Sequence, residues 1–226
     1  MNIRRGIRFK YPKPGDVDNF ISKFRKMALS VLKKQDQIDA INLRNSKYAQ
    51  FYESVNKGLG LAGICERDIQ YLIFSDLYSV YMIIHEYCGA YKNKQRVDIA
   101  LVYEGIPDDE WYKPDVAIEI KRAFFLKSGQ LNKSSRQSLV NDVIKMKKYC
   151  VIPHKYFMQY AITNDNLKLN EVCTKINFED SVNEIFYKRE FRKHKLVPSY
   201  FGCFETFDCE KPQHLNMLLW KLCKTD

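Results

Sequence analysis

The sequence of 226 residues predicts an α/β fold with a mixed central β-sheet flanked by helices. Two observations carry this prediction. Apolar residues recur at intervals of three and four over residues 17–45, from residue 66 onward and over residues 132–149, which is the spacing of amphipathic helices. Short runs rich in apolar and β-branched residues lie between these segments, as expected for strands.

The predicted strands are short apolar runs with polar or glycine-containing boundaries, over residues 80–84, 96–103, 115–125 and 156–163. A charged helix is expected over residues 182–194 and a short apolar helix over residues 214–223, so that helical segments are added at both ends of the core. The order helix, strand, strand, strand, helix, strand, helix indicates a layered α/β domain.

The chain is divided into a basic, helical N-terminal region of residues 1–60 and a core of residues 61–226, which together are expected to form one structural domain. Net charge is +8 over residues 1–50, −6 over residues 51–120 and +7 over residues 121–148. Basic surface favours a polyanion, and an acidic centre suits a hard divalent cation. The combination indicates phosphate chemistry, with a generic basic surface and solvated acidic loops as the alternative.

Several other classes of protein are excluded by motifs that the sequence lacks. The seven cysteines are odd in number and form no CxxC pair, which argues against a zinc ribbon or a secreted disulfide framework and favours the cytoplasm. The four histidines have no HExxH spacing, and no GxSxG occurs, so a zinc hydrolase and an α/β-hydrolase are both disfavoured. No stretch is apolar for long enough to span a bilayer, so no membrane association is expected.

Charged residues interrupt two strands that otherwise look buried. Asp98 interrupts the run VDIALV, and Glu119 and Lys121 interrupt the run VAIEIK. Burying a lone charge is costly, so such groups must pair or bind a metal. Strand alternation places Glu119 and Lys121 on one face, and Asp98 can lie beside Glu119 if the two strands pair.

These residues predict a magnesium site, because adjacent carboxylates repel unless a cation lies between them and Mg²⁺ prefers oxygen ligands. Asp98, Glu119 and the backbone carbonyl of Ile120 are the expected ligands. Lys121 would orient or deprotonate an attacking water, or hold the scissile phosphate. A structural ion pair of Lys121 with either carboxylate is the alternative.

An aspartate within one strand, followed by ExK in the next, resembles the PD-(D/E)xK nuclease superfamily, to which restriction endonucleases belong. The resemblance extends over residues 64–163. It implies a restriction-endonuclease-like core and Mg²⁺ as cofactor, with Mn²⁺ as a substitute. Members often place another acid on the preceding helix, which Glu66 matches better than Glu86. The helix around residues 142–148 also resembles the family, whereas Asp115 of the Pro-Asp pair lies too close to Glu119 to be the metal ligand.

The resemblance implies an endonuclease acting on DNA, such as a type II restriction enzyme or another defence nuclease, with a homodimer expected for a palindromic site. Basic residues near the two strands are expected to contact phosphates: Lys94, Arg96, Lys127, Lys133 and Arg136. The lysines of the first helix form either a solvated face or a phosphate-tracking face. Two further alternatives are a non-catalytic nucleic-acid-binding module and a structural protein with no nucleic-acid role.

Overall fold

The computed structural model describes residues 16–46, 66–78, 83–87, 90, 95–101, 114–122, 132–163, 193–194, 196–206 and 214–223. Lys94, Lys127 and all but the last two residues of the charged helix expected over residues 182–194 lie outside these ranges.

Three helices lie within the described ranges: α1 (Val17–Arg44), α2 (Glu66–Tyr78) and α3 (Lys133–Tyr149). All three were predicted from their apolar periodicity. The side chain of Asn132 caps α3 by accepting a hydrogen bond from the backbone N–H of Ser134, at 2.8 Å. None of the described helices is both long enough and apolar enough to cross a membrane.

The described strands form one mixed sheet of six strands in the order β1-β2-β3-β4-β6-β5. Their bounds are β1 (Ile83–Tyr87), β2 (Val97–Leu101), β3 (Val116–Arg122), β4 (His154–Thr163), β5 (Leu196–Glu205) and β6 (His214–Leu222). Strands β3 and β4 are parallel and are connected through α3, while the other neighbouring pairs are antiparallel. An α/β fold with a mixed sheet and flanking helices is therefore confirmed.

Two apolar clusters place helices on opposite faces of the sheet. On one face, α1 and α2 bury residues such as Phe24 and Ile73 against strand residues that include Ile118. On the other face, α3 buries Leu139 and Val143 against strand residues at the alternate positions. The molecule thus has a helix layer, a sheet and a second helix layer, and β3 runs between the two cores.

The prediction of an apolar helix over residues 214–223 is wrong, because this segment is the strand β6, which lies between β4 and β5 in the sheet. The chain end therefore adds two strands to the same sheet rather than a helix. All residues from Leu215 to Trp220 are buried, since both faces of β6 are covered. A short run that is apolar on every side carries no alternation, so its sequence does not distinguish a doubly buried strand from a buried helix.

Replacing Phe24 by alanine tests whether α1 is part of the core. Phe24 is fully buried, so we expect a loss of about 3–5 kcal/mol in the free energy of unfolding, measured by urea denaturation. Ile41→Ala is the control on the same helix, because Ile41 is 48% exposed and its loss should cost no more than about 0.5 kcal/mol. Equal effects of the two changes would contradict the packing of α1 on the sheet.

Candidate active site at the end of strand β3

Asp98 is joined to β3 by a hydrogen bond at the point where the β2–β3 pairing ends. The register pairs Leu101 with Val116 and Ile99 with Ile118. Two residues further along β3, the backbone N–H of Ile120 donates to Oδ2 of Asp98 at 2.6 Å. The carboxylate therefore accepts from a peptide N–H of the ExK strand, and it is close enough to Glu119 for the charge of that residue to act on it.

Glu119 meets α3 rather than solvent. Its side chain is only 8% exposed, and its Oε1 accepts a close hydrogen bond from Nζ of Lys145. Asp142, one turn earlier on α3, lies 3.9 Å from the same ammonium group and 3.5 Å from Nζ of Lys121. A helix on one face of the sheet thus contributes both an acid and a base to the end of β3.

Glu66 approaches the same strand end from α2, which lies on the opposite face of the sheet. Its Oε1 is 3.3 Å from Nζ of Lys121, and its Oε2 accepts from the backbone N–H of Arg122 at 2.8 Å. Glu86, the weaker candidate for this extra acid, forms an ion pair with the exposed Arg96 at 2.6 Å. Of the two acids considered from sequence, it is Glu66 that contacts the lysine of the ExK motif.

The close carboxylates repel one another. Burial, and then the charge of Glu119, raises the pKa of Asp98 from 3.8 to about 8, while the N–H of Ile120 and the ammonium of Lys145 oppose the rise. Glu66 adds a smaller repulsion. With every group ionised, the four acids and two lysines of this site carry a formal charge of −2. A single divalent cation would neutralise this formal charge.

Lys121 keeps its proton more firmly than an ordinary lysine does. Burial lowers its pKa, but the charges of Asp142 and Glu66 together outweigh burial and raise the pKa above 10.5. The sequence had left the roles of base, water-orienting group and phosphate ligand open. In the arrangement described, Lys121 is an ammonium group, which suits orientation and charge neutralisation better than proton abstraction.

The ligand set expected for magnesium consists of oxygens only: two carboxylates and the backbone carbonyl of Ile120. Within the described ranges, no three His, Cys, Asp or Glu side chains are grouped as a metal-binding cluster. The expected ligand set has only two carboxylates, fewer than the three side chains of such a cluster. Mg²⁺ is nevertheless commonly held by one or two carboxylates and completes its coordination shell with water. The hard oxygen donors and the net negative charge fit such an ion.

The basic residues expected to contact phosphates are spread over separate places. Arg96 is exposed and paired with Glu86. Lys133 is exposed at the first residue of α3, and Arg136 is half-buried in its first turn, where its backbone N–H donates to the carbonyl of Asn132. None of the three is joined to the acids of the site by a hydrogen bond or ion pair among the contacts described here.

No protein-family model, no curated protein and no solved structure matches the chain.

Asp142 and Lys145 were not singled out as site residues from sequence, although the helix that carries them was noted. One signal was present: Asp142 is the sole acid among residues 121–148, where eight residues are basic. Both residues border the buried stripe of α3 formed by Leu139, Val143 and Met146. Their meeting with β3 follows from the packing of α3 on the sheet.

Asp98→Asn should change how stability depends on pH in EDTA. The unfolded chain loses the Asp98 proton near pH 3.8, whereas the folded protein holds it to about pH 8. Below pH 3.8 the raised pKa therefore has no effect on stability. Between these two values it lowers the free energy of unfolding increasingly as pH rises, and above pH 8 the loss of stability stays constant.

The gain from Asp98→Asn over the wild type should accordingly be larger at pH 8 than at pH 5, by at least about 1 kcal/mol. Urea denaturation at several pH values provides the measurement. Asp68→Asn, at an exposed position of α2, is the control. Parallel stability curves for the wild type and Asp98→Asn would contradict the raised pKa.

Proposed function

We propose that the protein is a divalent-cation-dependent endonuclease of the PD-(D/E)xK type, which hydrolyses phosphodiester bonds in DNA in the cytoplasm. The observation that carries the proposal is the meeting of Asp98, Glu119, Lys121 and Glu66 at one end of β3. Two strands and a helix supply these groups, and Glu66, Asp98 and Glu119 are separated by 32 and 21 residues of sequence. A lone ExK tripeptide without such a meeting would carry little weight.

Asp98, Glu119 and the carbonyl of Ile120 would hold the ion. When bound, Mg²⁺ supplies Lewis acidity toward a phosphate oxygen and favours ionisation of water. The chain itself orients the first carboxylate, because the N–H of Ile120 holds Oδ2 of Asp98 at 2.6 Å. Restricting that carboxylate before the ion arrives reduces the ordering cost of binding.

Lys121 would hold the scissile phosphate or orient the attacking water. Its ammonium lies between Glu66 on one side and Asp142 on the other, at 3.3 Å and 3.5 Å. Two flanking acids keep the ammonium charged and restrict where it points. Glu66 and Asp142 are therefore assigned positioning roles toward Lys121.

A non-catalytic nucleic-acid-binding module is the second candidate, and one contact favours it. Lys145 already neutralises Glu119, an expected ligand of the ion. A lysine fixed in that position would leave a binding surface without hydrolysis. In a nuclease, by contrast, Lys145 would have to release Glu119 for that carboxylate to hold a cation.

Cleavage of plasmid DNA tests the catalytic proposal. The wild type should produce fragments with Mg²⁺ or Mn²⁺ and none with EDTA. Asp98→Ala and Lys121→Ala should each lower the rate by at least about a hundredfold, because Asp98 would hold the ion and Lys121 would contact the scissile phosphate or the attacking water. The same variants should still retard DNA on a gel.

Matched variants make this experiment specific. Asp68→Ala and Lys147→Ala remove the same residue types from positions outside the site and should cleave at the wild-type rate. Retardation of DNA without cleavage by the wild type would favour the binding module. Discrete fragments would indicate sequence-specific cleavage, and size-exclusion chromatography would test the expected homodimer.

Replacement of Lys145 by methionine should tighten cation binding. The change removes the ammonium that competes for Glu119 and makes the formal charge of the site −3. We expect about tenfold stronger Mn²⁺ binding, since one partly buried charge is worth at least about 1.4 kcal/mol. Calorimetry on EDTA-treated protein measures it, with Lys148→Met as the exposed control. Weaker binding in Lys145→Met would mean that Lys145 supports the site instead of competing with the ion.

A further inference from the structure

Helix α1 presents an exposed face on which acidic side chains are absent. Among the described side chains of residues 19–45, twelve are exposed: five are cationic, five are uncharged and polar, and two are isoleucines. The cationic ones define the α1 basic face: Lys23, Lys26, Lys33, Lys34 and Arg44. At 3.6 residues per turn, they lie within an arc of about 100°.

The acids of α1 lie outside this arc. Asp18, in the first turn, is exposed and lies 3.9 Å from Nζ of Lys221. Asp36 is buried, and Asp39 is half-buried and accepts a hydrogen bond from the side chain of Gln35 at 2.7 Å. A surface helix that only needs solvation commonly carries both signs of charge. Segregation of the lysines from the acids therefore points to an anionic partner.

We propose that the α1 basic face binds the phosphate backbone of nucleic acid outside the site at the end of β3. Ser30 and Gln37, which are uncharged, exposed and within the same arc, are hydrogen-bond donors of the kind found at phosphate contacts. Lys23 and Lys34 are about 17 Å apart along the helix axis. That length matches about five phosphates of one strand.

A lipid surface is disfavoured as the partner, although it is also anionic. Amphipathic helices bind membranes by inserting an apolar face. The apolar face of α1 is committed to the core, where Phe20, Phe24 and Leu32 are buried. What remains exposed is mainly polar and basic, which suits a ligand held through its phosphates.

This inference rests on the proposed function for the identity of the polyanion, but its test does not need catalysis. Binding is measured by fluorescence anisotropy in EDTA, with a labelled DNA duplex of 30 base pairs and an RNA duplex of the same sequence. Titrations at several salt concentrations give the slope of log K against log salt, which counts phosphate contacts.

The two variants are Lys33→Glu/Lys34→Glu on α1 and Lys147→Glu/Lys148→Glu on α3, each a pair of adjacent lysines on a helix. The α1 variant should bind DNA at least about tenfold more weakly and lower the salt slope by about 2. The α3 variant should stay within about twofold of the wild type. Circular dichroism checks that both variants fold.

Equal losses in both variants, or no loss in the α1 variant, would overturn the assignment of the α1 basic face. Binding to vesicles with anionic headgroups, but to neither duplex, would overturn it in favour of a lipid surface. A wild-type protein that binds with the expected slope and does not cleave would refute the proposed nuclease and leave the face intact. Cleavage by the wild type, without a specific loss of DNA binding in the α1 variant, would refute the assignment of the α1 basic face and leave the proposed nuclease intact.

Discussion

The balance of charge at the end of β3 is the constraint on which the rest of the site depends. Four carboxylates converge there, and each would be costly to bury without a partner. Asp98 accepts from a peptide N–H, Glu119 from Lys145, and Glu66 from both Lys121 and the N–H of Arg122. Because the partners belong to β3 and α3 and the acids to β2, β3 and α2, satisfying the charges also fixes α2 and α3 relative to the same strand end.

Apolar packing keeps these repelling groups together. The carboxylates oppose folding wherever burial and mutual repulsion raise their pKa values, as they do for Asp98. Two apolar clusters, one on each face of the sheet, surround β3 and hold it in the centre of the molecule. An arrangement that is unfavourable by itself is therefore maintained by cores on both sides, which is a common property of sites that bind ions or substrates.

The chain carries two kinds of charged surface, the acids with Lys121 and Lys145 at the end of β3 and the basic face of α1. The acids gather around β3, where a small cation would fit, while the exposed lysines of α1 form a long strip suited to a polyanion. A negatively charged site repels a phosphate backbone, so surrounding positive charge would help to bring such a substrate close. The proposed function explains why one chain carries both kinds of surface.

Particular residues show which features the sequence alone predicted. The periodicity of residues 17–45 predicted α1, and charges inside apolar runs identified Asp98, Glu119 and Lys121, because a buried strand carries a charge only when something pairs with it. The strand β6 was mistaken for a helix, since a segment buried on both faces has no alternation to reveal its period.

The contacts of Asp142 and Lys145 were decided by the tertiary structure. They lie 23 and 26 residues beyond Glu119, and they reach the site because α3 crosses between the parallel strands β3 and β4 and packs on one face of the sheet. Local sequence specifies which residues are charged and which segments are helical. Which charges meet depends on how the layers stack, and that is set by the burial of apolar surface over the whole molecule.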